Sequence, residues 1–234
     1  MSGADDIIFA PASGAGRAAI TVLRLSGPGS AGLLRAMAGS LPAPRVASLR
    51  RLRNKAGVVL DQALVLWFPG PASYTGEDSA ELHLHGGRAV LRAVAEGLVA
   101  LGCRPAEPGE FTRRALLNGR LDLTEAEGIA DLIDAETEAQ RVQALRQADG
   151  ALSRRLAAWA DRIAALLAWQ EAAIAFAEAG VPTDPDDPPP PGAAARRADM
   201  MAALAEGERA ERLREGVAVA ILGAPNAGKS SLLN

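Results

Sequence analysis

The N-terminal part of the chain alternates between apolar runs typical of strands and segments with helical periodicity. Ile20–Leu25 alternates in polarity and contains β-branched residues, so it predicts a strand, and Ser30–Ala38 after it predicts a helix. Val46–Arg53 and Val58–Phe68 predict two strands of a hairpin that turns at Asn54–Gly57. The pattern favours a sheet with helices between its strands.

Three further elements complete this first domain. Ile7–Ala10 is a short apolar run, Ala80–Leu84 predicts another strand, and Arg88–Leu101 predicts an amphipathic helix that stops at Gly102. The order of strands and helices predicts an α+β domain over residues 1–119, with a split βαβ-like core.

The next stretch, residues 120–215, has helical periodicity and predicts an all-α helical domain. Thr124 and Glu127 have the spacing of a capping box that opens a helix, and the apolar face of this helix extends to Leu145. Helical spacing of apolar residues then continues toward Ala179.

A proline-rich segment interrupts the helical stretch. Val181–Gly192 contains six prolines and three aspartates. Because proline lacks the backbone N–H and clashes with the preceding turn, residues 181–192 are predicted to break the helix or to form a linker. Ala193–Glu215 resumes the helical pattern as a further helix.

The last stretch, residues 216–234, predicts the first strand and the phosphate-binding loop of an α/β nucleotide-binding domain. Val217–Leu222 is fully apolar, and Gly223–Ser230 matches G-x-x-x-x-G-K-[ST]. In such loops, backbone N–H groups and a helix N-terminus cradle phosphate oxygens. Lys229 is expected to neutralise the β- and γ-phosphates, and Ser230 to hold Mg²⁺.

The chain as given continues only to Asn234, four residues beyond Ser230. One strand and half a helix cannot build the doubly wound sheet that makes such a loop rigid. We therefore expect these residues to include no catalytic residue for hydrolysis, and the 234-residue chain to bind GTP at most weakly and not to turn it over.

Composition narrows the class of protein further. Hydrophobic residues make up 49% of the chain, which supports a packed core, and the net charge of −3 excludes a polybasic protein. Cys103 is the single cysteine and is expected to be a core residue. The acidic N-terminus and the short apolar runs predict a soluble, cytoplasmic protein that does not bind a membrane.

Three weaker patterns leave alternatives open. Glu81, His83 and His85 share one face of a strand, which fits a metal site but more often is a polar strand face. Gly14–Ala19 resembles a dinucleotide fingerprint, yet a strand rather than a helix follows it, so a glycine-rich turn is favoured. The paired charges of Pro108–Glu127 predict, by themselves, a solvated helix with its cap.

A set of landmarks through nearly the whole chain resembles the tRNA-modification GTPase family known as MnmE or TrmE. They occur in the family's order: Arg24–Gly27, Phe68–Asp78, Glu81–Gly87, Pro108–Glu127 and Gly223–Asn234. The loop alone is shared with other GTPases, including the Era group, but the N-terminal landmarks are not.

The resemblance implies an N-terminal domain that binds a tetrahydrofolate derivative, a helical domain, and a GTPase domain inserted into it. It also implies a homodimer formed by the N-terminal domain and a flavin-dependent partner, MnmG. Together they attach an aminomethyl-type group, carboxymethylaminomethyl, to carbon 5 of the wobble uridine of tRNA. The resemblance further implies that the one-carbon donor is 5-formyl- or methylene-tetrahydrofolate and that GTP is hydrolysed with Mg²⁺ and K⁺.

Carried over by position, the folate contacts implied by the resemblance are Arg24, Glu81 and Arg120, the last in a place often taken by lysine. The resemblance also implies that Asn226 helps to hold K⁺, beside Ser230 on Mg²⁺. The implied GTP-binding positions are Gly223, Asn226, Ala227, Gly228, Lys229, Ser230 and Ser231.

Two other classes remain open at this point. A stand-alone folate-binding and dimerisation module without GTPase activity would share the N-terminal domain. An Era-like ribosome-assembly GTPase would need an RNA-binding domain that the sequence does not display.

Overall fold

The structure is a computed structural model of the chain. It describes residues 6–14, 16–178 and 193–215, together with residues 220, 222, 223, 228 and 231. The chain divides into two compact units, Met1–Ala126 and Glu127–Asn234. The predicted break at residues 181–192 and the predicted strand Val217–Leu222 fall largely or wholly outside the described residues.

Within the described residues, a six-stranded sheet forms the centre of the first unit. Its strands are β1 (Ile8–Pro11), β2 (Ile20–Ser26), β3 (Ser48–Arg53), β4 (Val59–Phe68), β5 (Ser79–His85) and β6 (Arg104–Pro105). The helices of this unit are α1 (Ser30–Ala38), α2 (Arg88–Ala100) and α3 (Glu110–Leu117). The predicted strands, hairpin and first two helices are confirmed, with ends shifted by two residues at most.

The strand order β3-β4-β5-β2-β1-β6 confirms the α+β fold. Strand β1 pairs with β6 in parallel, and the other neighbours are antiparallel. Because β2 and β4 both run antiparallel to β5 between them, they are parallel to each other. The path from β2 through α1 and β3 to β4 is therefore the split βαβ-like arrangement that the element order predicts.

One face of the sheet carries the core. Leu23, Leu82 and Val65 are aligned across β2, β5 and β4 and are fully buried. Leu34 of α1 and Leu98 of α2 belong to the same buried cluster, so both helices pack on this face. Each buried apolar side chain of this size contributes roughly 1.5–3 kcal/mol.

The opposite face of the sheet is more exposed and contains apolar residues. Ile20, Leu49 and Leu64 are 58%, 56% and 41% exposed. They lie along a shallow groove that His83 and His85 also line. We call Ile20, Leu49 and Leu64 the open-face patch.

The chain after residue 122 is helical over most of the described residues. Its helices are α4 (Leu123–Asp134), α5 (Glu138–Ala148), α6 (Ala151–Glu178) and α7 (Ala193–Glu215). The Asp199 carboxylate of α7 accepts hydrogen bonds from Arg155 at 3.1 Å and from Trp159 at 2.8 Å, both on α6. The prediction of a helical domain is confirmed.

Two details of the predicted helices are wrong. The capping box that opens α4 is formed by Asp122 and Glu125, whose side chains exchange hydrogen bonds of 2.9 Å with each other's backbone N–H, and not by Thr124 and Glu127. The apolar face to Leu145 is divided between two helices, because Thr137 forms its own capping box and starts α5. A capping box can start a new helix within a stretch of continuous helical periodicity, because its side chains accept hydrogen bonds from the backbone N–H groups that lack partners at a helix start.

Cys103 is 4% exposed and belongs to the core, as predicted. Burial raises the pKa of its thiol to about 11, so the thiolate is scarce at neutral pH.

No helix in the described parts of the chain is long and apolar enough to cross a membrane.

Candidate ligand-binding site of the N-terminal unit

A cavity of about 200 Å³ is lined by residues of β2, β4 and β5 and by the segment 72–75. Arg24, Arg45 and Glu81 are the charged residues of its lining, and Phe68 and Tyr74 are the aromatic ones. Pockets with apolar walls and a few convergent polar groups are typical of small-molecule sites. This cavity is therefore the candidate ligand-binding site.

Arg24 and Glu81, two of the three predicted folate contacts, meet in this cavity. They lie opposite each other in the register of β2 and β5, although 57 residues separate them in sequence. Arg24 Nε and Nη2 donate to Glu81 Oε1 at 3.1 and 2.9 Å. Within the described residues Glu81 Oε2 accepts no hydrogen bond, and His83 Nε2 lies 3.5 Å from it.

The aromatic walls fix the direction of the Arg24 guanidinium. Its central carbon lies 5.4 Å from the ring centroid of Tyr74 and 5.9 Å from that of Phe111. The Tyr74 hydroxyl is in turn 3.0 Å from the hydroxyl of Thr112. Stacking of a guanidinium on aromatic rings restrains both partners, so Arg24 presents Glu81 in a defined orientation.

Arg120, the third predicted folate contact, is not among the residues that line the cavity. Its side chain is exposed, and its stem packs over Gly76, where an added Cβ would lie 3.2 Å from Arg120 Cγ. Gly76 directly follows Thr75, which does line the cavity. The structure thus brings Arg24 and Glu81 together and leaves Arg120 outside the cavity lining, packed over Gly76.

A buried hydroxyl cluster supports the segment that carries Tyr74. Ser26 Oγ lies 2.6 Å from Thr75 Oγ1 and 3.2 Å from Ser79 Oγ, and it donates to Glu77 Oε2 at 2.7 Å. Ser26, Thr75 and Ser79 are all at most 5% exposed. Buried polar groups that satisfy one another rigidify a site, and here they hold the wall between β4 and β5.

A network of charged residues is joined to this hydroxyl cluster through Glu77, which accepts hydrogen bonds from both Ser26 and Arg114. Glu110 and Arg114 of α3 are 1% and 7% exposed, so the expectation of a solvated charged helix over 108–127 is wrong here. Glu110 Oε1 accepts from Arg104 at 2.6 Å and from Arg114 at 3.1 Å, and Arg114 also donates to Glu77 at 3.1 Å. The side chain of Asp6 completes the network through both arginines.

The pKa values of the carboxyls follow from these contacts. Hydrogen bonds from Arg104 lower the pKa of Glu110 to about 2, against the opposing effect of burial. Burial opposes ionisation of Asp6 as well, but hydrogen bonds from Arg104 and Arg114 outweigh it and lower its pKa. Both carboxyls are therefore ionised at neutral pH.

The two histidines of β5 do not belong to a recognisable metal centre. His85 Nδ1 lies 2.7 Å from Asp61 Oδ1, and the same carboxylate accepts from the His85 backbone N–H at 2.9 Å. Among the described residues, no group of three or more His, Cys, Asp or Glu side chains could hold a metal ion. The polar strand face is the better interpretation of Glu81, His83 and His85.

Part of the predicted phosphate loop is described. Gly228 has a φ of +81°, a conformation suited to glycine, and the Ser231 N–H donates to its carbonyl at 3.0 Å. Gly223 is exposed. The other predicted loop contacts, at Asn226, Ala227, Lys229 and Ser230, lie outside the described residues.

Sequence reasoning assigned no role to Arg45, Phe68 or Tyr74. The available signal was the run from Phe68 to Asp78, in which aromatic, proline and glycine residues follow a predicted strand directly. Loops of that composition at the end of a strand are frequent positions of binding residues. Arg45 gave no such signal, because it lies between the predicted elements and reaches the cavity only through the fold.

Fold and site define the class of protein: an N-terminal α+β domain with a small-molecule cavity, followed by a helical domain and a phosphate-loop motif. Residues 7–120 match the family model described as GTP-binding protein TrmE N-terminus, and residues 123–223 match the MnmE helical domain. The chain belongs to the MnmE (TrmE) family.

Similar proteins carry the same description in several bacteria. The chain is 58% identical over 229 residues to the tRNA modification GTPase MnmE of Granulibacter bethesdensis, covering 98% of the chain and 52% of that protein. It is 62% identical over 231 residues to the protein so named in Gluconacetobacter diazotrophicus, and 63% over 237 residues to that of Methylorubrum populi. The alignments with these two proteins cover 97% and 98% of the chain, respectively, and 53% of each relative. The chain therefore spans about half the length of these relatives.

Proposed function

We propose that the N-terminal unit binds a reduced folate, with Glu81 as the acceptor for the pterin ring. The observation that carries this proposal is the Glu81 carboxylate, fixed by Arg24 through Oε1 and free of hydrogen bonds at Oε2, in a cavity with aromatic walls. A pterin presents adjacent N–H donors in one plane, and a carboxylate accepts two such donors at once.

The residues present fit such a ligand. The flat ring system can pack against Phe68 and Tyr74 while its edge faces Glu81. Arg24 orients the carboxylate, and Arg120, which packs over Gly76, is proposed as a further cationic contact of the ligand. When bound, 5-formyl- or methylene-tetrahydrofolate supplies a one-carbon unit, and the protein supplies binding and orientation.

For the intact protein, we propose the activity that the names of its relatives state, tRNA modification coupled to GTP hydrolysis. With the flavin-dependent partner MnmG in the cytoplasm, it adds a carboxymethylaminomethyl group to carbon 5 of the wobble uridine. Residues 1–119 form the folate domain, 120–215 the first part of the helical domain, and 216–234 the start of the GTPase domain.

The proposed nucleotide site is the loop between Gly223 and Ser231. Backbone N–H groups of this loop cradle the phosphates, Lys229 neutralises them, Ser230 binds Mg²⁺ and Asn226 contributes to a K⁺ site. Support comes from the motif and from the left-handed conformation of Gly228, which such a turn requires.

Loss of the full-length protein is expected to remove the modified wobble uridine from tRNA. Mass spectrometry of digested tRNA from a deletion strain measures this directly. Full-length wild type should restore the modified nucleoside, and Lys229→Ala should not, because the loop then lacks its phosphate-neutralising ammonium. Lys55→Ala is a matched control, since Lys55 and Lys229 are the two lysines of the chain.

An unchanged nucleoside profile in the deletion strain would contradict the proposed activity. Full restoration by Lys229→Ala would instead show that the modification does not depend on the nucleotide loop. It would favour the alternative of a folate-binding module that needs no GTP.

We also propose that the protein is a homodimer through the open-face patch. An exposed cluster of Ile20, Leu49 and Leu64 on a sheet face is an unusual surface for a monomer. Leu64→Glu is expected to shift the protein to monomer, as measured by sedimentation equilibrium at micromolar concentration. Leu117→Glu is the matched control, because Leu117 is 77% exposed on α3 and is not among the residues that line the groove.

A wild type that sediments as a monomer contradicts the proposed dimer. A Leu64→Glu variant that remains dimeric while Leu117→Glu dissociates contradicts the assignment of the interface. Circular dichroism of both variants checks that the fold is retained.

A further inference from the structure

We propose that Arg45 binds the carboxylates of the ligand's glutamate tail and thereby selects folates over pterins that lack the tail. This inference rests on the proposed folate function and adds a residue and a specificity to the same cavity. The first observation is the position of Arg45, whose side chain lines the cavity together with Arg24 and Glu81.

The balance of charge in the cavity favours an additional anion. Arg24 and Glu81 form an ion pair, with Arg24 Nη2 and Glu81 Oε1 separated by 2.9 Å, so together they contribute no net charge. Arg45 makes no ion pair with any described residue. The charged lining thus carries one uncompensated positive charge, and a reduced folate carries carboxylates at the end opposite its pterin.

The ion pair also assigns the two arginines different tasks. Arg24 is held against Glu81 and between Tyr74 and Phe111, so it is already committed to presenting the pterin acceptor. It is therefore poorly placed to grip the far end of an extended ligand. Arg45 is a second arginine in the same lining, and Glu81 does not occupy its donors.

Two contacts orient the guanidinium of Arg45. It lies over the ring of Phe68, 5.6 Å from its centroid, and Nη2 donates to the carbonyl of Ala72. A guanidinium has five N–H donors in a rigid plane, so several remain for a carboxylate. Such a fork recognises carboxylates by paired hydrogen bonds.

The backbone at Arg45 is in a conformation that glycine adopts more readily. Its φ is +62°, and among the described residues it is the one residue other than glycine with a positive φ. The turn is held by the Arg45 N–H, which donates to Trp67 O at 2.8 Å. Residues other than glycine in such strained backbone conformations occur more often at functional sites, where the side chain contributes to function.

The test is calorimetric titration of the 234-residue protein with two ligands, 5-formyltetrahydrofolate and 6-methyltetrahydropterin, which lacks the tail. Arg45→Gly should weaken folate binding about tenfold or more and change pterin binding less than about twofold. Arg45→Lys should fall between, because it keeps the charge and loses the fork. Arg92→Ala, which removes an exposed charge from α2, should match wild type for both ligands.

Glycine suits the turn, so Arg45→Gly is expected to fold with a thermal midpoint within a few degrees of wild type. Folate binding that Arg45→Gly leaves unchanged overturns this inference alone. An equal loss of folate and pterin affinity in Arg45→Gly also overturns it, because Arg45 then does not recognise the glutamate tail. If wild type binds neither ligand, the folate proposal fails, and this inference fails with it.

Discussion

Replacing Glu81 by alanine is expected to weaken binding of 5-formyltetrahydrofolate roughly ten- to a hundredfold. The physical reason is that the pterin edge loses its carboxylate acceptor, at a net cost of about one hydrogen bond to a charged group because water replaces part of what is lost. Hydrogen bonds to charged groups contribute about 1.5–3 kcal/mol each, and every 1.4 kcal/mol is about a factor of ten in affinity. Isothermal titration calorimetry of wild type and variant measures the change.

The fold should survive this substitution. The Arg24 and Glu81 side chains are 33% and 21% exposed, and a partly exposed ion pair contributes only about 1 kcal/mol to stability. Glu81→Gln keeps the shape and is expected to lose nearly as much affinity, because its NH₂ group faces the pterin donors. Glu96→Ala is the matched control, since Glu96 pairs with Arg92 at 2.9 Å on the exposed side of α2.

Two results would contradict the site assignment. One is the absence of any heat when wild type is titrated with the reduced folate. The other is a Glu81→Ala variant that binds as tightly as wild type. The competing metal interpretation predicts that His83→Ala and His85→Ala remove bound Zn²⁺, whereas the folate site predicts that His85→Ala leaves folate affinity unchanged.

Glu110→Ala is expected to lower the free energy of unfolding of the first unit by about 3–5 kcal/mol at pH 7. Removing this carboxylate leaves Arg114, which is 7% exposed, with fewer partners in a buried position. Breaking a buried ion pair on one side costs more than the pair's net contribution, because the remaining charge stays buried and loses part of its compensation. Urea titration measures the loss, and amide exchange in β2 and β5 assigns it to this unit.

The stability loss of Glu110→Ala is also expected to depend on pH. The pKa of Glu110 is lowered from its ordinary value of 4.5 to about 2, so its contribution is complete above pH 4.5 and is lost as pH falls toward 2. The lowered pKa corresponds to roughly 3 kcal/mol at about 1.4 kcal/mol for each pH unit. The stability difference between wild type and Glu110→Ala should therefore shrink as pH falls below 4.5.

Glu107→Ala provides the control for this network. Glu107 and Arg113 form an ion pair of 3.0 Å with side chains 60% and 51% exposed, and such a surface pair contributes about 1 kcal/mol or less. A Glu110→Ala loss no larger than that of Glu107→Ala, or one independent of pH, would contradict a structural role for the buried charges.

The sequence by itself determined strands β1–β5 and helices α1 and α2 of the first unit, but not the two-residue strand β6. The two-residue period of β2 and the helical period of α2 depend on local geometry, which neighbouring residues express directly. The hairpin between β3 and β4 is local as well, because the Asn54 side chain accepts the N–H groups of Ala56 and Val58 at 3.1 and 3.0 Å. The sequence also contained both predicted ligand contacts that the cavity unites, Arg24 and Glu81.

Only the tertiary structure decided which of these residues meet. Periodicity states which face of a strand a side chain occupies, but not which strand lies beside it, so the pairing of Arg24 with Glu81 follows from the register of β2 and β5. Arg45 reaches the same cavity from a connecting segment that has no period at all. The fold likewise decided that Arg120 packs over Gly76 and does not line the cavity.

Burial was the other property that the sequence left undecided. A charged helix such as α3 has the same composition whether it faces water or the interior, and its local pattern predicts solvent. Glu110 and Arg114 are buried because Arg104, which precedes α3, and Glu77, far earlier in the chain, supply opposite charges at 2.6 and 3.1 Å. Long-range partners compensate the desolvation of these groups, and only the folded chain brings such partners together.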